Sequence, residues 1–441
     1  MADRPCPPAG QVSSEPLNAD GWRVVTLGEI MQAVYRYPTY YGITYEPEGV
    51  AEVRGEMLSD AGEINAAEAR FIATSTARKF PRTTLAEGDM VMSVRGTMGK
   101  VGLVRANLQG ANITANLIRL SPNSTLADSE FLKFCLLSRP FNKRLNDLSP
   151  NTTIKTITAS VLKSIPLVLP PLHEQRAIAH ALHTIQQAKE ATDNVIATLK
   201  QLMQSVMHYL FTYGPAPYQR VHQVQMQEGE DGNMPSRWKL AHLGELAQIS
   251  TGTTPATAEA GYYGGSIPFI KTAQISNNRI TRANEYITEK AAKDYRLKLY
   301  PRDTVFMAMY GQGKTRGQVA LLGIEATTTQ NTAAIVPGER LAPEFLWFYL
   351  MSKYEALRSK GFQGQISHLN LGYVSRLQIP LPEKEEQSHI ARILATVQGK
   401  LNAEEARRRS LEVLFESALQ NLTTGALRVG DVPLAEPAWS H

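Results

Sequence analysis

Three stretches of this sequence place residues at spacings that suggest chemistry. Gly311-Gln-Gly-Lys-Thr has the close of a phosphate-cradling loop, where backbone amides and a lysine hold a nucleotide. Ala308 stands where that motif requires its first glycine. His173, His180 and His183 lie near one another, but without the His-Glu-x-x-His order that sets two imidazoles and a general base on one helix face. They read as a solvated helix face. The Asn/Asp-Pro-Pro-Phe/Tyr run expected of an amino-group methylase does not occur. Catalysis and metal binding are therefore not expected of this chain, and the chemistry left to consider is that of binding.

The binding candidates come in matched sets. Arg95 and Lys100 flank a glycine-rich turn, and Lys314 and Arg316 occupy a similar turn some 215 residues later. Glycines let a backbone come close to phosphate, and cations neutralise it. Arg54 and Lys271 each follow a strand-like run. Asn151 and Lys155 precede one late strand, while Gln363, Gln365 and His368 precede its counterpart; such side chains can read base edges. The competing reading for all of them is an ordinary loop with solvated polar groups. The run Glu404-Glu-Ala-Arg-Arg-Arg409 reads as a self-paired helix face, with a protein contact as its alternative.

The elements that must position these residues are duplicated. Leu169-Pro-Pro-Leu-His-Glu-Gln175 and Leu381-Pro-Glu-Lys-Glu-Glu-Gln387 open two amphipathic stretches offset by 212 residues, and the offset holds without a gap for about 50 residues. Trp22-Arg-Val-Val-Thr-Leu-Gly-Glu and Trp238-Lys-Leu-Ala-His-Leu-Gly-Glu open the two preceding halves, where the offset drifts between 214 and 216. A repeat this long means two whole domains rather than a solenoid. Within the first half, Val91–Gly96, Val101–Val104 and Asn112–Leu120 read as strands, whereas Ser129–Leu137 reads as a helix capped by Asp128 or Ser129. The mixture predicts an α+β fold.

The boundaries follow: a disordered leader over 1–20, a domain over 21–171, a helix over 172–214, a flexible linker over 215–236, a second domain over 237–382, a second helix over 383–425 and a tail over 426–441. Each helix is a rod of roughly 60 Å. Ile178, Leu182, Ile185, Leu199 and Leu202 on the first, and Ile390, Leu394, Val397, Leu411 and Leu414 on the second, form narrow coiled-coil seams. Two equal rods in one chain most simply pair with each other. A pseudo-twofold axis between the halves makes the pair antiparallel, although sequence leaves a parallel pair open.

Composition sets the outer limits. The 441 residues suffice for two or three domains, and no run of 18 apolar residues is present to span a membrane. The leader lacks the apolar core of a signal peptide. Only Cys6 and Cys135 occur, so a structural disulfide is not expected and a reducing cytoplasm fits. The net charge of +5 leans weakly toward polyanion partners.

The duplicated helix openings, the duplicated Trp-x-x-x-x-Leu-Gly-Glu openings, the helix ends at Phe211-Thr-Tyr-Gly and Thr423-Thr-Gly, Thr251-Gly-Thr-Thr-Pro and Gly264-Gly-Ser-Ile-Pro-Phe-Ile-Lys together resemble the specificity subunit of type I restriction-modification systems. The likeness runs from Trp22 to Val429. In the first half Tyr37-Pro-Thr-Tyr-Tyr-Gly-Ile replaces the Thr-Gly-x-Thr-Pro opening. The resemblance implies two tandem target-recognition domains, each reading one half-site of a bipartite double-stranded DNA sequence, and an antiparallel helical spacer that fixes the gap between half-sites. It further implies two methylase subunits docked on the helices, and motor–nuclease subunits that complete a restriction enzyme. S-adenosylmethionine, ATP and magnesium then belong to those partners, with no cofactor and no metal on this chain. Three other readings stand beside it: the recognition subunit of a methylation-only or other split system, a coiled-coil scaffold with two protein-binding heads, and a self-sufficient methylase.

Overall fold

A computed structural model describes residues 21–36, 43–148, 156–229, 232–311, 314–359 and 369–429. Two units divide the chain: residues 1–193 with 406–441, and residues 194–405. Each unit therefore takes one recognition half, half of the first long helix (Leu172–Tyr213) and half of the second (Lys384–Thr424).

In the first unit the strands are β1 (Arg23–Thr26), β2 (Met31–Tyr35), β3 (Tyr45–Glu46), β4 (Val50–Val53), β5 (Arg70–Ile72), β6 (Met90–Ser93), β7 (Val101–Leu103), β8 (Asn112–Ile113), β9 (Leu117–Pro122) and β10 (Pro166–Leu169). They form a β2-β9-β6-β7 sheet, a smaller β3-β5-β4-β8 sheet and a β1-β10 pair. The expected single strand over 112–120 is split between the two larger sheets. Leu117 N–H closes a turn onto the Thr114 carbonyl, and the buried Asn112 amide is held by Thr83, so alternation alone misread the break. The Ser129–Leu137 helix forms as expected: the Asp128 carboxylate accepts from Phe131 N–H at 3.0 Å, and Phe131, Leu132 and Phe134 are fully buried against the larger sheet's core.

The second unit repeats the plan with β11 (Met226–Gly229), β12 (Gly232–Pro235), β13 (Lys239–His242), β14 (Ala247–Thr251), β15 (Tyr263–Ile270), β16 (Asn278–Ile280), β17 (Glu285–Ile287), β18 (Val305–Ala308), β19 (Val319–Leu322), β20 (Thr327–Thr328), β21 (Thr332–Pro337) and β22 (Gln378–Leu381). Its sheets are β14-β21-β18-β19-β16, β17-β15-β20, β13-β22 and the hairpin β11-β12. That hairpin corrects the expectation of a flexible linker over 215–236. Tyr218–Gln223 is a 3-10 helix, Met234 is buried in the unit's core, and Gln227 Nε2 donates to the Trp238 carbonyl at 2.7 Å. The tail is likewise ordered as far as Val429, with the Arg428 guanidinium 4.9 Å from the Trp22 ring centroid. The leader and residues 430–441 lie outside the described residues.

The repeated helix openings have a common structural cause. Gln175 is fully buried; its Oε1 accepts from Asp128 N–H at 2.8 Å, and its Nε2 donates to the Leu126 and Pro170 carbonyls at 3.0 and 2.8 Å. Gln387 does the same with Ala342 N–H and the Arg340 and Pro382 carbonyls, at 2.8, 3.0 and 3.0 Å. Each glutamine thus ties the first turn of its long helix to the loop that starts the helical layer of its own unit. Gly214 and Gly425, both at φ +73°, end the helices in the left-handed conformation that lets the chain turn away.

In the first unit the helix halves run antiparallel. Ile178 and Leu182 share a core with Leu419 and Leu422, while Lys189 pairs with Glu412 at 3.0 Å and Asp193 with Arg408 at 3.9 Å. The second unit has the same sense, with Lys200 3.5 Å from Glu405, and with Met203, Met207 and Leu210 sharing a core with Ile390 and Leu394. The predicted seam is right at Ile178, Leu182, Ile390 and Leu394, which are fully buried, and in part at Ile185, Leu199, Val397 and Leu411. It is wrong at Leu202 and Leu414, which are 46% and 51% exposed. The inward register steps from Leu199 to Met203 and from Leu411 to Phe415, which leaves those two leucines outside.

Candidate nucleic-acid interface

In the first unit β2 and β6 both pair antiparallel with β9, so they run parallel to each other and their ends emerge on one side. Arg36 follows β2, and Arg95 follows β6 and bridges to Thr156. The Arg95 guanidinium comes close enough to act on that of Arg36. Burial first, and then the Arg95 charge, push the Arg36 pKa below its ordinary value. Arg36 Nη1 is buried and hydrogen-bonds to nothing among the described residues. The adjoining segments 37–42 and 149–155 contain no aspartate or glutamate. Like charges held this close disfavour one another's charged form, and an anion beside them would relieve that. Beside them the Arg82 guanidinium lies over the Tyr35 ring, 3.8 Å from its centroid.

The structure places Arg95 beside Arg36, a residue that the sequence-based expectation did not name. The one local signal for it is the aromatic–basic alternation Tyr35-Arg36-Tyr37; its proximity to Arg95 depends on strand order. Lys100 is partly exposed and lies 3.7 Å from Asp60, whose side chain is almost wholly in water, so that pair is weak and the cation remains available.

Arg54 is a correction. Its side chain is 14% exposed, Nη2 donates to the Glu68 carbonyl at 3.0 Å, and Nη1 pairs with Glu56. It braces the loop after β4. Arg316 is a second correction: it is 7% exposed, and Nη2 donates to the Arg358 carbonyl at 2.8 Å. A hairpin position that looked solvated is instead folded inward, because Gly317 lets the chain turn under the 354–359 helix. Lys314 is exposed, and its carbonyl accepts from Tyr354 O–H at 2.6 Å. Lys271 pairs with Glu285 at 2.7 Å, both side chains about two-fifths exposed. Asn151, Lys155, Gln363, Gln365 and His368 lie outside the described residues.

The segment around Lys314 joins β18 to β19, which pair antiparallel. A phosphate-cradling loop needs a helix N-terminus after its lysine, and a strand follows here. The Thr251-Gly-Thr-Thr-Pro motif is likewise accounted for by bracing. Thr251 Oγ1 donates to the Thr332 carbonyl at 2.8 Å, and Thr254 Oγ1 to Gln330 Oε1 at 2.5 Å, which fixes the exit of β14 across β21.

One charged cluster is structural rather than ligand-binding. Lys133 is fully buried, with Nζ 3.0 Å from Glu63 Oε1 and 2.9 Å from Glu130 Oε2, while Arg105 also pairs with both carboxylates. Burial pushes both carboxyls up, but the hydrogen bonds and charges of Arg105 and Lys133 outweigh it and hold both below the usual carboxylate range.

A family model described as the type I restriction modification DNA specificity domain matches residues 19–201 and again 235–413. Over 430 residues the chain is 21% identical to the type I restriction enzyme HindI specificity subunit of Haemophilus influenzae, covering 82% of this chain and 90% of that one. It is 27% identical to the MjaIX specificity subunit of Methanocaldococcus jannaschii over 203 residues, a match that spans 46% of that relative's length. The fold is similar to the crystal structure of a type I restriction-modification S subunit from M. genitalium, with a TM-score of 0.59, 17% identity, and coverage of 93% of this chain and 98% of that one.

Proposed function

The chain belongs to the type I restriction modification DNA specificity family, and from that premise we propose that it reads a bipartite double-stranded DNA target, one half-site per unit, and directs adenine methylation and cleavage by partner subunits. The observation that carries this reading is the double occurrence of one recognition plan, each copy clamped to a long helix by the same buried glutamine. The cationic pair Arg36 and Arg95, with Lys100, supports phosphate contact in the first unit, and Lys314 and Lys271 support it in the second. The chain itself is non-catalytic in this reading. S-adenosylmethionine, ATP and magnesium are held by two methylase subunits and by motor–nuclease subunits, and the assembly works in the cytoplasm.

Leu202 and Leu414 support the partner assignment. They stand at the same position of the two helices, and both expose an apolar side chain to solvent. A helix position that keeps leucine outside in both copies suits two copies of one partner. The test is expression of the chain with its modification partners, followed by mapping of methylated bases. A single asymmetric motif of two short words separated by unspecified bases is expected. Methylation without such a motif, or none from the complete assembly, overturns the reading.

A further inference from the structure

Both units carry the same small sheet with opposite chemistry on its outer position. In the first, β4 pairs with β5 (Val50↔Ile72, Glu52↔Arg70) and runs parallel to β8 (Glu52↔Asn112). In the second, β15 pairs with β17 (Ile267↔Ile287, Phe269↔Glu285) and runs parallel to β20 (Phe269↔Thr327). The registers match position by position, so Ile72 corresponds to Ile287, and Arg70 to Glu285. The two backbones differ just ahead of these pairs: Gly49, one residue before Val50, would bring a Cβ 2.3 Å from the Ile72 carbonyl oxygen, whereas Gly265, two residues before Ile267 at a register shift of β15 on β17, would bring one 2.4 Å from that of Ile287. Ile72 and Ile287 are both fully buried, and the position after the charge is aromatic in both, Phe71 and Tyr286.

Against this shared frame the charge reverses. Arg70 is exposed, its guanidinium 5.1 Å from the Tyr45 ring centroid. Glu285 stands at an open cleft of about 580 Å³ that Tyr263, Asn284 and Tyr286 also line, with Lys271 2.7 Å away. Arginine offers only donors and a carboxylate only acceptors, so one backbone position presents complementary halves of the hydrogen-bond code. A carboxylate facing DNA is repelled by phosphate unless it accepts from a base amino group, and Lys271 offsets that repulsion.

We propose that Arg70 and Glu285 are equivalent base-reading positions of the two units. Arg70 suits the N7 and O6 acceptors of guanine, and Glu285 suits the exocyclic amino group of cytosine or adenine. The proposal rests on the DNA-recognition reading above.

The test uses the complete methylating assembly and motif mapping of the wild type and of R70E, R70A, E285R and E285Q. Substitutions at Arg70 are expected to change or relax one base of one half-site, with selectivity at that base falling roughly ten- to a hundredfold, while the other half-site stays intact. Substitutions at Glu285 should do the same to the other half-site. Should a charge reversal stop methylation altogether, R70A and E285Q decide, because neither introduces a new charge. An unchanged motif overturns the proposal. So does uniform weakening at every sequence with a shallower salt dependence, which marks a phosphate contact. A wild-type assembly with no bipartite motif would instead refute the underlying reading, so the two failures are distinct.

Discussion

Replacing Gln175 by methionine keeps the side chain's length and apolar stem but removes all three of its hydrogen bonds. Asp128 N–H and the Leu126 and Pro170 carbonyls, paired at 2.8–3.0 Å in the wild type, then lose their partner around a fully buried site. A net hydrogen bond contributes about 1 kcal/mol, and a buried group left unpaired costs about 1–3 kcal/mol, so three such losses, only partly relieved by water, destabilise the first unit by about 3–5 kcal/mol. Gln387→Met should cost the second unit a similar amount, because its three distances are nearly the same. Urea unfolding followed by hydrogen exchange separates the two units, which need not melt together. Lost protection should concentrate at 126–132 and 172–186 for the first variant and at 340–346 and 384–398 for the second. Gln175→Glu adds a sign. The new carboxylate still accepts from Asp128 N–H but faces two carbonyl oxygens, so its folded pKa is raised above the ordinary value of about 4.3. Its deficit relative to the wild type should therefore shrink as pH falls through that raised value. A loss under about 1 kcal/mol for both methionine variants would show that the glutamines are not the clamps.

Four further outcomes follow from other residues. Lys133→Met leaves Glu63 and Glu130 short of one cation, and should destabilise the first unit toward the low end of about 3–5 kcal/mol, since both carboxylates are roughly a third exposed. In the wild type those carboxyls are held low, so their contribution is present above the unfolded pKa near 4.3 and is lost as pH falls through the folded values; acid melts monitored by circular dichroism should show the variant with a weaker acid dependence. Arg36→Ala with Arg95→Ala should weaken DNA binding by the assembly at all sequences and lower the salt slope by about 2, as filter binding across salt concentrations would read. Four residues inserted near Val195 add about 6 Å of helix, and should lengthen the unspecified gap while both half-sites stay the same; altered half-sites with an unchanged gap would refute the spacer assignment. Leu202→Asp with Leu414→Asp should leave the chain's own melting temperature within a few degrees, because both are exposed, but should reduce capture of the methylase subunits on size-exclusion chromatography.

The long-range plan was legible because it is written twice. A 212-residue offset held over about 50 residues identified two rods, and their ends at Tyr213 and Thr424 fall within a residue or two of the expected stops. Individual side chains were less legible, because their fate depends on neighbours remote in sequence. Arg54 and Arg316 carry the residue type of a DNA contact, yet each turns inward to a carbonyl, and only the folded loops supply those carbonyls. Arg36 gains meaning from Arg95, 59 positions away, through the order β2-β9-β6. Leu202 and Leu414 fit a plausible heptad step, but the packed register prefers Met203 and Phe415, since a run with apolar residues at neighbouring positions admits two seams. The linker misled for a compositional reason: Gln-Glu-Gly-Glu-Asp-Gly-Asn reads as flexible, although Met226 and Met234 flank it with a hairpin register.

Comparing the two copies separates what builds the units from what distinguishes them. Where both copies keep a residue, the structure gives a backbone reason: Gln175 and Gln387 satisfy buried peptide groups, and Gly214 and Gly425 take a positive φ. At one position of the small sheet the copies differ by reversal of charge: Arg70 against Glu285 on matching strands. A coiled-coil scaffold with two protein-binding heads would have no need to hold the backbone constant under reversed charge. Readers of two different DNA words would, because the groove they enter has one shape and the base edges within it vary. The reversal also argues against a palindromic target, since equal half-sites would favour equal chemistry at equivalent positions. An asymmetric bipartite motif is thus the outcome expected if the two units read DNA as proposed.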